Sequence, residues 1–225
     1  MFQGFSDATV DFMWGIRFNN EKSWFLEHKE EFQTHFQRPM KELAAEVFDF
    51  LNEKYPDQGL TCKVSRIYRD ARRLRGRGPY RDCLWFSMEQ PGDFWTARPT
   101  FWFELSPEGA SWGLGYYMAK PLTMAKLRAR MDANPAPMED LTRALADRPQ
   151  FRLEGEEYKK AKPACSDLLF PWYQKKSFVL RHDEGISAAL YDHSLVERLQ
   201  ADFDFLMPFY AYFVTLDGDR DPREH

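Results

Sequence analysis

Arginine is concentrated in one short segment of this chain, between residues 63 and 81. The segment holds eight cations and a single acid, Asp70, so its local charge is +7. Because the whole chain has a formal net charge of −4, the remaining residues carry −11. Seven of the cations are arginine, whose planar guanidinium can donate paired hydrogen bonds to a phosphate or a carboxylate. The cations are Lys63, Arg66, Arg69, Arg72, Arg73, Arg75, Arg77 and Arg81. This pattern predicts a site for an anion.

The middle of the segment has the composition of a loop. Gly76, Gly78 and Pro79 favour a turn, where backbone N–H groups can join arginine side chains around an anion. Strand alternation places Arg66 and Arg69 on opposite faces, so the charges do not all converge. We therefore expect only part of the segment to contact one ligand.

Asp70 is expected to have a structural role within this segment. It lies between Arg69 and Arg72, and the neighbouring cations make it a weak base, so it is predicted to pair with and orient guanidinium groups. Lys159 belongs to a second basic cluster, which would strengthen an anion pocket if folding placed it beside the loop. The predicted ligand-binding residues are Arg66, Arg69, Asp70, Arg72, Arg77, Tyr80, Arg81 and Lys159.

Three other interpretations of the arginine segment stay open. The segment is compatible with a solvated, charged hairpin. It is compatible with a nucleic-acid-binding module in which arginine contacts phosphate and exposed aromatic rings stack on bases. It is also compatible with a protein-interaction scaffold whose arginines pair internally. The sequence pI of about 5.8 gives no global cationic field, which argues against coating nucleic acid or an anionic membrane by bulk charge.

Other patterns with chemical potential are weaker. Glu104 follows Phe103 on an aromatic strand and is the candidate general acid if it points inward. His28 and His35 lie seven residues apart without a third ligand at metal-site spacing, so no metal is predicted. The sequence has no complete nucleotide fingerprint or nucleophile motif, so no cofactor is predicted and the question of enzymatic activity stays open.

The hydrophobic composition constrains the fold class. The chain of 225 residues has 37 aromatic residues against six Val and three Ile, which argues against a parallel sheet built from twice-buried aliphatic strands. Successive strand patterns with short connections favour an antiparallel arrangement. We predict a single α+β domain over residues 1–216, with an antiparallel sheet packed against several helices, and a frayed tail over residues 217–225.

Hydrophobic periodicity places the elements along the chain. Helices are predicted after Ser6, from Glu21 to about Lys54 with an end or kink at Pro39, at Pro121–Met131, at Met138–Ala146, and from a capping box at Ser194 and Glu197 to an interruption at Pro208. Strands are predicted at Cys62–Arg69, Leu84–Met88, Thr100–Leu105, Ser111–Tyr117 and Ser177–Arg181. Asn19 and Asn20 are predicted to be helix-capping residues that could also present amides to a pocket.

The arginine segment resembles the hallmark of a mostly bacterial family of conserved proteins of unknown function. That hallmark is Arg-x-x-Arg-Asp-x-Arg-Phe, followed after a spacer by Asp or Asn, Lys, two residues and Tyr. The positions that fit are Arg66, Arg69, Asp70, Arg72 and Tyr80, and those that depart are Arg73, Gly76 and Arg77. The resemblance extends over nearly the whole chain. It implies a single α+β domain in the cytoplasm and leaves the function open.

The remaining sequence features concern the cellular context. The three cysteines match neither a closed disulfide framework nor a paired zinc-ligand spacing, which favours a reducing cytoplasm. No secretory signal and no apolar stretch of membrane-spanning length is present, so no membrane partner is expected. The sequence leaves the oligomeric state open.

The function predicted from the arginine segment is binding of a small phosphate- or carboxylate-bearing ligand in an arginine-rich pocket.

Overall fold

The structure, a computed structural model, describes residues 1–74, 76–92 and 97–224, without the side chain of Arg73. Helices are concentrated in the first quarter and the second half of the chain. They are α1 (Asp7–Phe18), α2 (Lys22–Glu27), α3 (Lys29–Glu31), α4 (Arg38–Lys54), α5 (Pro121–Ala133), α6 (Ala136–Ala146), α7 (Phe170–Gln174) and α8 (Ser194–Val214).

Six strands form one antiparallel sheet in the order β1-β2-β3-β4-β6-β5. The strands are β1 (Thr61–Val64), β2 (Leu84–Glu89), β3 (Thr100–Ser106), β4 (Gly109–Gly115), β5 (Arg152–Glu154) and β6 (Val179–Gly185). The predicted α+β class with an antiparallel sheet is confirmed. Three strands, β2, β3 and β4, lie where the alternating pattern predicts them, and β3 and β4 are joined by the Pro107–Glu108 turn.

Two close approaches of backbone explain glycines in β4. A Cβ at Gly109 would lie 2.1 Å from the carbonyl oxygen of Glu184, and one at Gly115 would lie 2.4 Å from that of Phe178. Both partners lie in the segment 178–184, and β6 in this segment is the neighbour of β4 in the sheet. The two glycines therefore allow the neighbouring backbone to approach β4 closely, which is a common role of glycine within a strand.

The first strand is shorter than predicted. The alternating pattern of Cys62–Arg69 predicts one strand, but β1 ends at Val64. Residues 67–69 instead pair with residues 79–81, since Tyr68 forms an isolated antiparallel bridge with Tyr80. Side chains alternate in the same way in one long strand and in two separate extended segments. The sequence pattern therefore predicts an extended backbone without showing which segment it pairs with.

The prediction that Pro208 interrupts the last helix is wrong. α8 runs from Ser194 to Val214 with Pro208 inside it. A proline within a helix removes one hydrogen bond and costs about 3 kcal/mol. Phe203, Leu206 and Phe209 on either side are all buried, and each contributes roughly 1.5–3 kcal/mol by leaving water, which outweighs the lost bond.

The start of α8 also differs from the prediction. A capping box at Ser194 and Glu197 is predicted, but Ser194 is already the first helical residue. Its backbone N–H donates to Asp192 Oδ1 at 2.7 Å, and the Ser194 hydrogen bonds hold the pKa of Asp192 below its usual value. The cap is therefore provided two residues earlier by an aspartate, another good N-terminal acceptor.

Pro39 changes the type of helix without ending it. The six residues Phe32–Gln37 before α4 are π-helical, and Pro39 lies in the first turn of α4. In a regular α-helix the carbonyl of His35 would accept a bond from residue 39, which proline cannot donate and whose ring would clash there. The buried hydroxyl of Thr9 donates to this carbonyl at 2.5 Å. The expected kink is thus a π segment tied to α1.

The chain forms two compact units, and each is interleaved along the sequence. Unit 1 comprises residues 1–88, 102–112 and 183–202, and unit 2 comprises residues 89–101, 113–182 and 203–225. The single domain over residues 1–216 stays a prediction. No helix among residues 1–74, 76–92 and 97–224 is long and apolar enough to span a membrane.

Aromatic side chains fill the interior of both units. In unit 1 the ring centroids of Phe12 and Phe32 lie 5.5 Å apart, and those of Phe86 and Phe103 lie 5.4 Å apart. The largest fully buried side chains are Trp112, Trp172, Tyr173, Tyr210, Phe2, Phe25, Phe36, Phe86, Phe101, Phe103, Phe178 and Phe203. The aromatic surplus of the sequence is therefore mostly core.

We expect Thr9→Val to destabilise the protein by about 1–3 kcal/mol, because valine keeps the volume but removes the hydroxyl that donates to the His35 carbonyl. Urea denaturation measures the loss. Thr142→Val is the matched control, since the Thr142 hydroxyl also donates to a helix carbonyl, that of Met138, within α6. Equal losses for the two variants would contradict a special role for Thr9.

Candidate functional site

The arginine segment forms a short hairpin in unit 1, and its described residues 67–74 and 76–81 are called the arginine hairpin below. Arg69 N donates to the Pro79 carbonyl at 2.8 Å, and Arg81 N donates to the Ile67 carbonyl at 2.7 Å. These bonds flank the Tyr68–Tyr80 bridge, so the two tyrosines form a non-hydrogen-bonded pair. The N–H and carbonyl of Tyr80 therefore face away from Tyr68.

Asn20 binds the outward-facing peptide groups of Tyr80. Its Nδ2 donates to the Tyr80 carbonyl at 3.0 Å, and its Oδ1 accepts from the Tyr80 N–H at 2.9 Å. A Cβ at position 78 would lie 2.2 Å from this Oδ1, so only glycine leaves room for the amide. Asn20 thus replaces the peptide group of a neighbouring strand. Asn19 has the predicted capping role, since its Nδ2 donates to the Gly15 carbonyl at 3.0 Å.

Tyr80 packs one arm of the hairpin against the aromatic core. Its side chain is buried and its ring stacks on Phe25 with centroids 4.3 Å apart. Burial raises the pKa of Tyr80 above its ordinary value. Tyr68, opposite, is 57% exposed. Of the two tyrosines, the exposed one was absent from the predicted site, and the predicted one is held in the aromatic core.

Four charged side chains meet beside the hairpin. Asp82 accepts from Arg17 Nε at 2.5 Å through Oδ2 and lies 3.4 Å from Arg69 Nη2 through Oδ1. Arg69 Nε also donates to the Tyr80 carbonyl at 2.7 Å. Glu108, on the β3–β4 turn, takes the outer nitrogens of Arg17, with Nη2 3.0 Å from Oε2 and Nη1 bonded to Oε1. We call these residues the Asp82 cluster.

The members of the Asp82 cluster differ in exposure. The side chains of Arg17, Arg69 and Asp82 are 29%, 22% and 21% exposed, whereas that of Glu108 is 61% exposed. The hydrogen bond from Arg17 lowers the pKa of Glu108 to about 2, so this carboxylate is ionised throughout the physiological range. The pKa of Arg17 rises correspondingly, chiefly through Glu108. Asp82 is an inner anion of the cluster, and Glu108 is an outer one.

Arg81 lies close to the Asp82 cluster. The charges of Arg69, Arg81 and Asp82 all act on the thiol of Cys83. Burial raises the pKa of this thiol to about 12, and it donates to Glu104 Oε2 at 3.8 Å. Cys83 is therefore protonated at neutral pH and unsuited as a nucleophile. Glu104, the candidate general acid, is half-buried beside it.

Asp70 and Arg72 pair with each other at the start of the hairpin tip. Asp70 Oδ1 accepts from the backbone N–H and the Nε of Arg72, both at 3.0 Å, and Oδ2 lies 2.9 Å from Nη2. Asp70 also caps the short 3₁₀ helix Ala71–Arg73. The Arg72 side chain is 88% exposed. Asp70 is thus seen as an ion-pair partner, as its neighbours in the sequence indicate.

The other predicted ligand residues are scattered. Arg66 and Arg77 are exposed and Arg81 is half-buried, and none of the three has an ion pair with a carboxylate among the residues that the structure describes. Arg75 and the side chain of Arg73 lie outside the described residues. Lys159 is exposed in unit 2, so its part in the site stays a prediction.

The structure adds four residues that are not among the predicted ligand residues: Arg17, Asn20, Asp82 and Glu108. Arg17 and Glu108 complete the Asp82 cluster, and Asn20 fixes the hairpin. Arg17 lies 65 residues from Asp82 and 91 from Glu108. No spacing in the sequence marks such distant partners, although Asn20 was noted as an amide that could face a pocket.

The histidines of the first helices have structural contacts. His28 Nδ1 lies 2.8 Å from the Trp24 carbonyl, and its ring stacks on Trp24 with centroids 3.9 Å apart. Within the described part of the chain, no group of three or more His, Cys, Asp and Glu side chains is arranged to hold a metal ion.

These observations define an α+β protein with an arginine–carboxylate cluster beside one hairpin. The chain belongs to the DUF2461 family of conserved hypothetical proteins, whose model matches residues 8–212. No curated protein matches it significantly in sequence. The resemblance to a conserved family of unknown function is thereby confirmed, whereas the hallmark motif and the mostly bacterial distribution stay expectations.

We expect Asn20→Ala to lower the free energy of unfolding by about 1–3 kcal/mol, because it removes both hydrogen bonds to the Tyr80 peptide groups. Asn19→Ala is the matched control, since it removes a single exposed bond at the end of α1 and should cost less. Urea denaturation of both variants measures the difference. A smaller loss of unfolding free energy in Asn20→Ala than in Asn19→Ala would show that the two bonds from Asn20 do not hold the hairpin in place.

Proposed function

We propose that the protein binds a small phosphate- or carboxylate-bearing molecule at the Asp82 cluster. The observation that carries this proposal is the bidentate hold of Arg17 on an exposed carboxylate, that of Glu108. The outer edge of an arginine binds a ligand carboxylate or phosphate with the same two parallel bonds. Glu108 thus occupies the position where we expect the anionic group of a ligand.

The charge balance of the cluster supports an anion. Arg17 and Arg69 both face Asp82, which leaves one positive charge before Glu108 is counted, and Arg81 is the residue before Asp82 in the chain. Arg66 and Arg77 of the same segment are also exposed. Because Asp82 uses both oxygens inside the cluster, a ligand would replace Glu108 rather than Asp82.

Arg69 is expected to support the site from within. Its Nε bonds the Tyr80 carbonyl, and its Nη2 faces Asp82, so it holds the two hairpin arms in place. Loss of ligand binding in Arg69→Ala would therefore not separate a direct contact from a disturbed hairpin. Arg81 and Glu108 are the better positions to change.

The alternative of a scaffold with internally paired arginines receives partial support. Arg69 and Arg72 both bond to carboxylates of the chain. Arg66, Arg77 and Arg81 do not follow this pattern within the described residues, and these three favour the ligand-binding proposal.

We expect anions to raise the melting temperature of the protein and Arg81→Gln to weaken their binding about tenfold, a typical loss for a charged hydrogen-bond donor. Differential scanning fluorimetry and calorimetric titration with inorganic phosphate, pyrophosphate and citrate measure this. Arg143→Gln is the matched control, because Arg143 is an exposed arginine that pairs with Glu139 on α6. The proposal fails if none of the anions binds, or if Arg143→Gln loses as much affinity as Arg81→Gln.

We expect Glu108→Gln to strengthen phosphate binding about three- to tenfold, because the amide keeps the shape but removes the charge that competes for Arg17. Glu156→Gln serves as the control, since Glu156 is an exposed carboxylate paired with Lys176. Calorimetric titration at one fixed ionic strength compares the variants. Unchanged or weaker binding in Glu108→Gln would show that the ligand does not take the place of this carboxylate.

A further inference from the structure

An aromatic pair lies exposed on the same helix face as Arg17. Trp14, Arg17 and Phe18 are spaced three and four residues apart on α1, so their side chains share one face. The rings of Trp14 and Phe18 are nearly parallel, with an interplanar angle of 13° and centroids 5.7 Å apart. Trp14 is 36% exposed and Phe18 is 75% exposed.

The exposure of Phe18 contrasts with the rest of α1. Phe12, Met13 and Ile16 of this helix are buried, so its core face is already supplied. Phe18 leaves most of an aromatic ring in water at the end of the helix, which costs the protein hydrophobic stabilisation. The Trp14 ring stacks against the Phe18 ring, so the two rings share one orientation. The pair is therefore a flat, oriented aromatic surface.

Arg17 connects this surface to the anion site. Its guanidinium carbon lies 4.9 Å from the centre of the Trp14 ring, while its nitrogens reach Asp82 and Glu108. The same guanidinium therefore contacts Trp14 of the aromatic pair and the position proposed for the ligand's anionic group. A molecule that joins a planar ring to a phosphate through a short linker has the chemistry to contact both.

We propose that the Trp14–Phe18 pair stacks on a planar ring of the ligand, which makes the ligand a nucleotide or a close analogue. This inference rests on the proposed function, because it takes the anionic group to lie at Arg17. A base has a flat π face of the required kind, and its stacking on an aromatic side chain does not depend on base identity. The nucleotide is either free or the end of a single strand, since both carry the same ring and phosphate.

The test compares three ligands that differ by one group each: inorganic phosphate, ribose 5-phosphate and adenosine 5′-monophosphate. Calorimetric titration should give adenosine 5′-monophosphate at least tenfold tighter binding than ribose 5-phosphate. Phe18→Ala should remove about tenfold of the affinity for the nucleotide and leave that for ribose 5-phosphate unchanged, and Phe18→Tyr should restore it. Tyr117→Ala, at another ring that is 77% exposed, is the control and should change neither.

The possible outcomes separate this inference from the proposed function. Equal affinities for the nucleotide and ribose 5-phosphate, both lost in Arg81→Gln, would overturn the aromatic pair as a ring site and leave the anion site standing. Failure of all three ligands to bind would overturn both. A 5′-phosphorylated thymidine oligonucleotide distinguishes the two sources, because tighter binding than that of adenosine 5′-monophosphate, lost when the 5′ phosphate is removed, identifies a strand end as the ligand.

Discussion

The carboxylate of Asp82 joins Arg17 of α1 to Arg69 of the arginine hairpin. Its two oxygens face two guanidinium groups, one from α1 and one from the arginine hairpin, which would otherwise repel each other. With both oxygens engaged, Asp82 acts as a fixed internal counter-ion. The outer edge of Arg17 is then the part of the cluster that an exposed carboxylate reaches. The separation between an inner and an outer anion is the basis for treating Glu108 as replaceable.

The positions of these side chains depend on hydrogen bonds to backbone rather than on ion pairs alone. Partly exposed ion pairs contribute little on their own, typically below about 1 kcal/mol. The Tyr80 peptide is instead bonded by Asn20 on both sides and by Arg69 at its carbonyl. The aromatic stack of Tyr80 on Phe25 holds the same arm from the other side. The Asp82 cluster thus lies beside a hairpin that backbone hydrogen bonds and an aromatic stack hold in place.

Local patterns predicted much of the fold, and long-range partners could not be predicted. The α+β class, the strands β2, β3 and β4 and the helices α5 and α6 follow from periodicity and turn residues. The interruption at Pro208 was wrong because burial outweighs one lost hydrogen bond. β1 was predicted too long because alternation does not reveal that residues 67–69 pair with the other hairpin arm. The segment between residues 63 and 81 predicted a candidate site, and only the fold brings Arg17 and Glu108 beside it.

The bond between Asn20 and Tyr80 spans 60 residues of the chain. Bringing residues so distant in sequence together closes the intervening loop, and this closure costs conformational entropy that the bonds must offset. The two hairpin arms are close in sequence, but the bonds that hold the Tyr80 backbone come from Asn20 at the end of α1. An open chain therefore carries the same cations without the geometry of the Asp82 cluster, which exists only when α1 and the hairpin lie side by side.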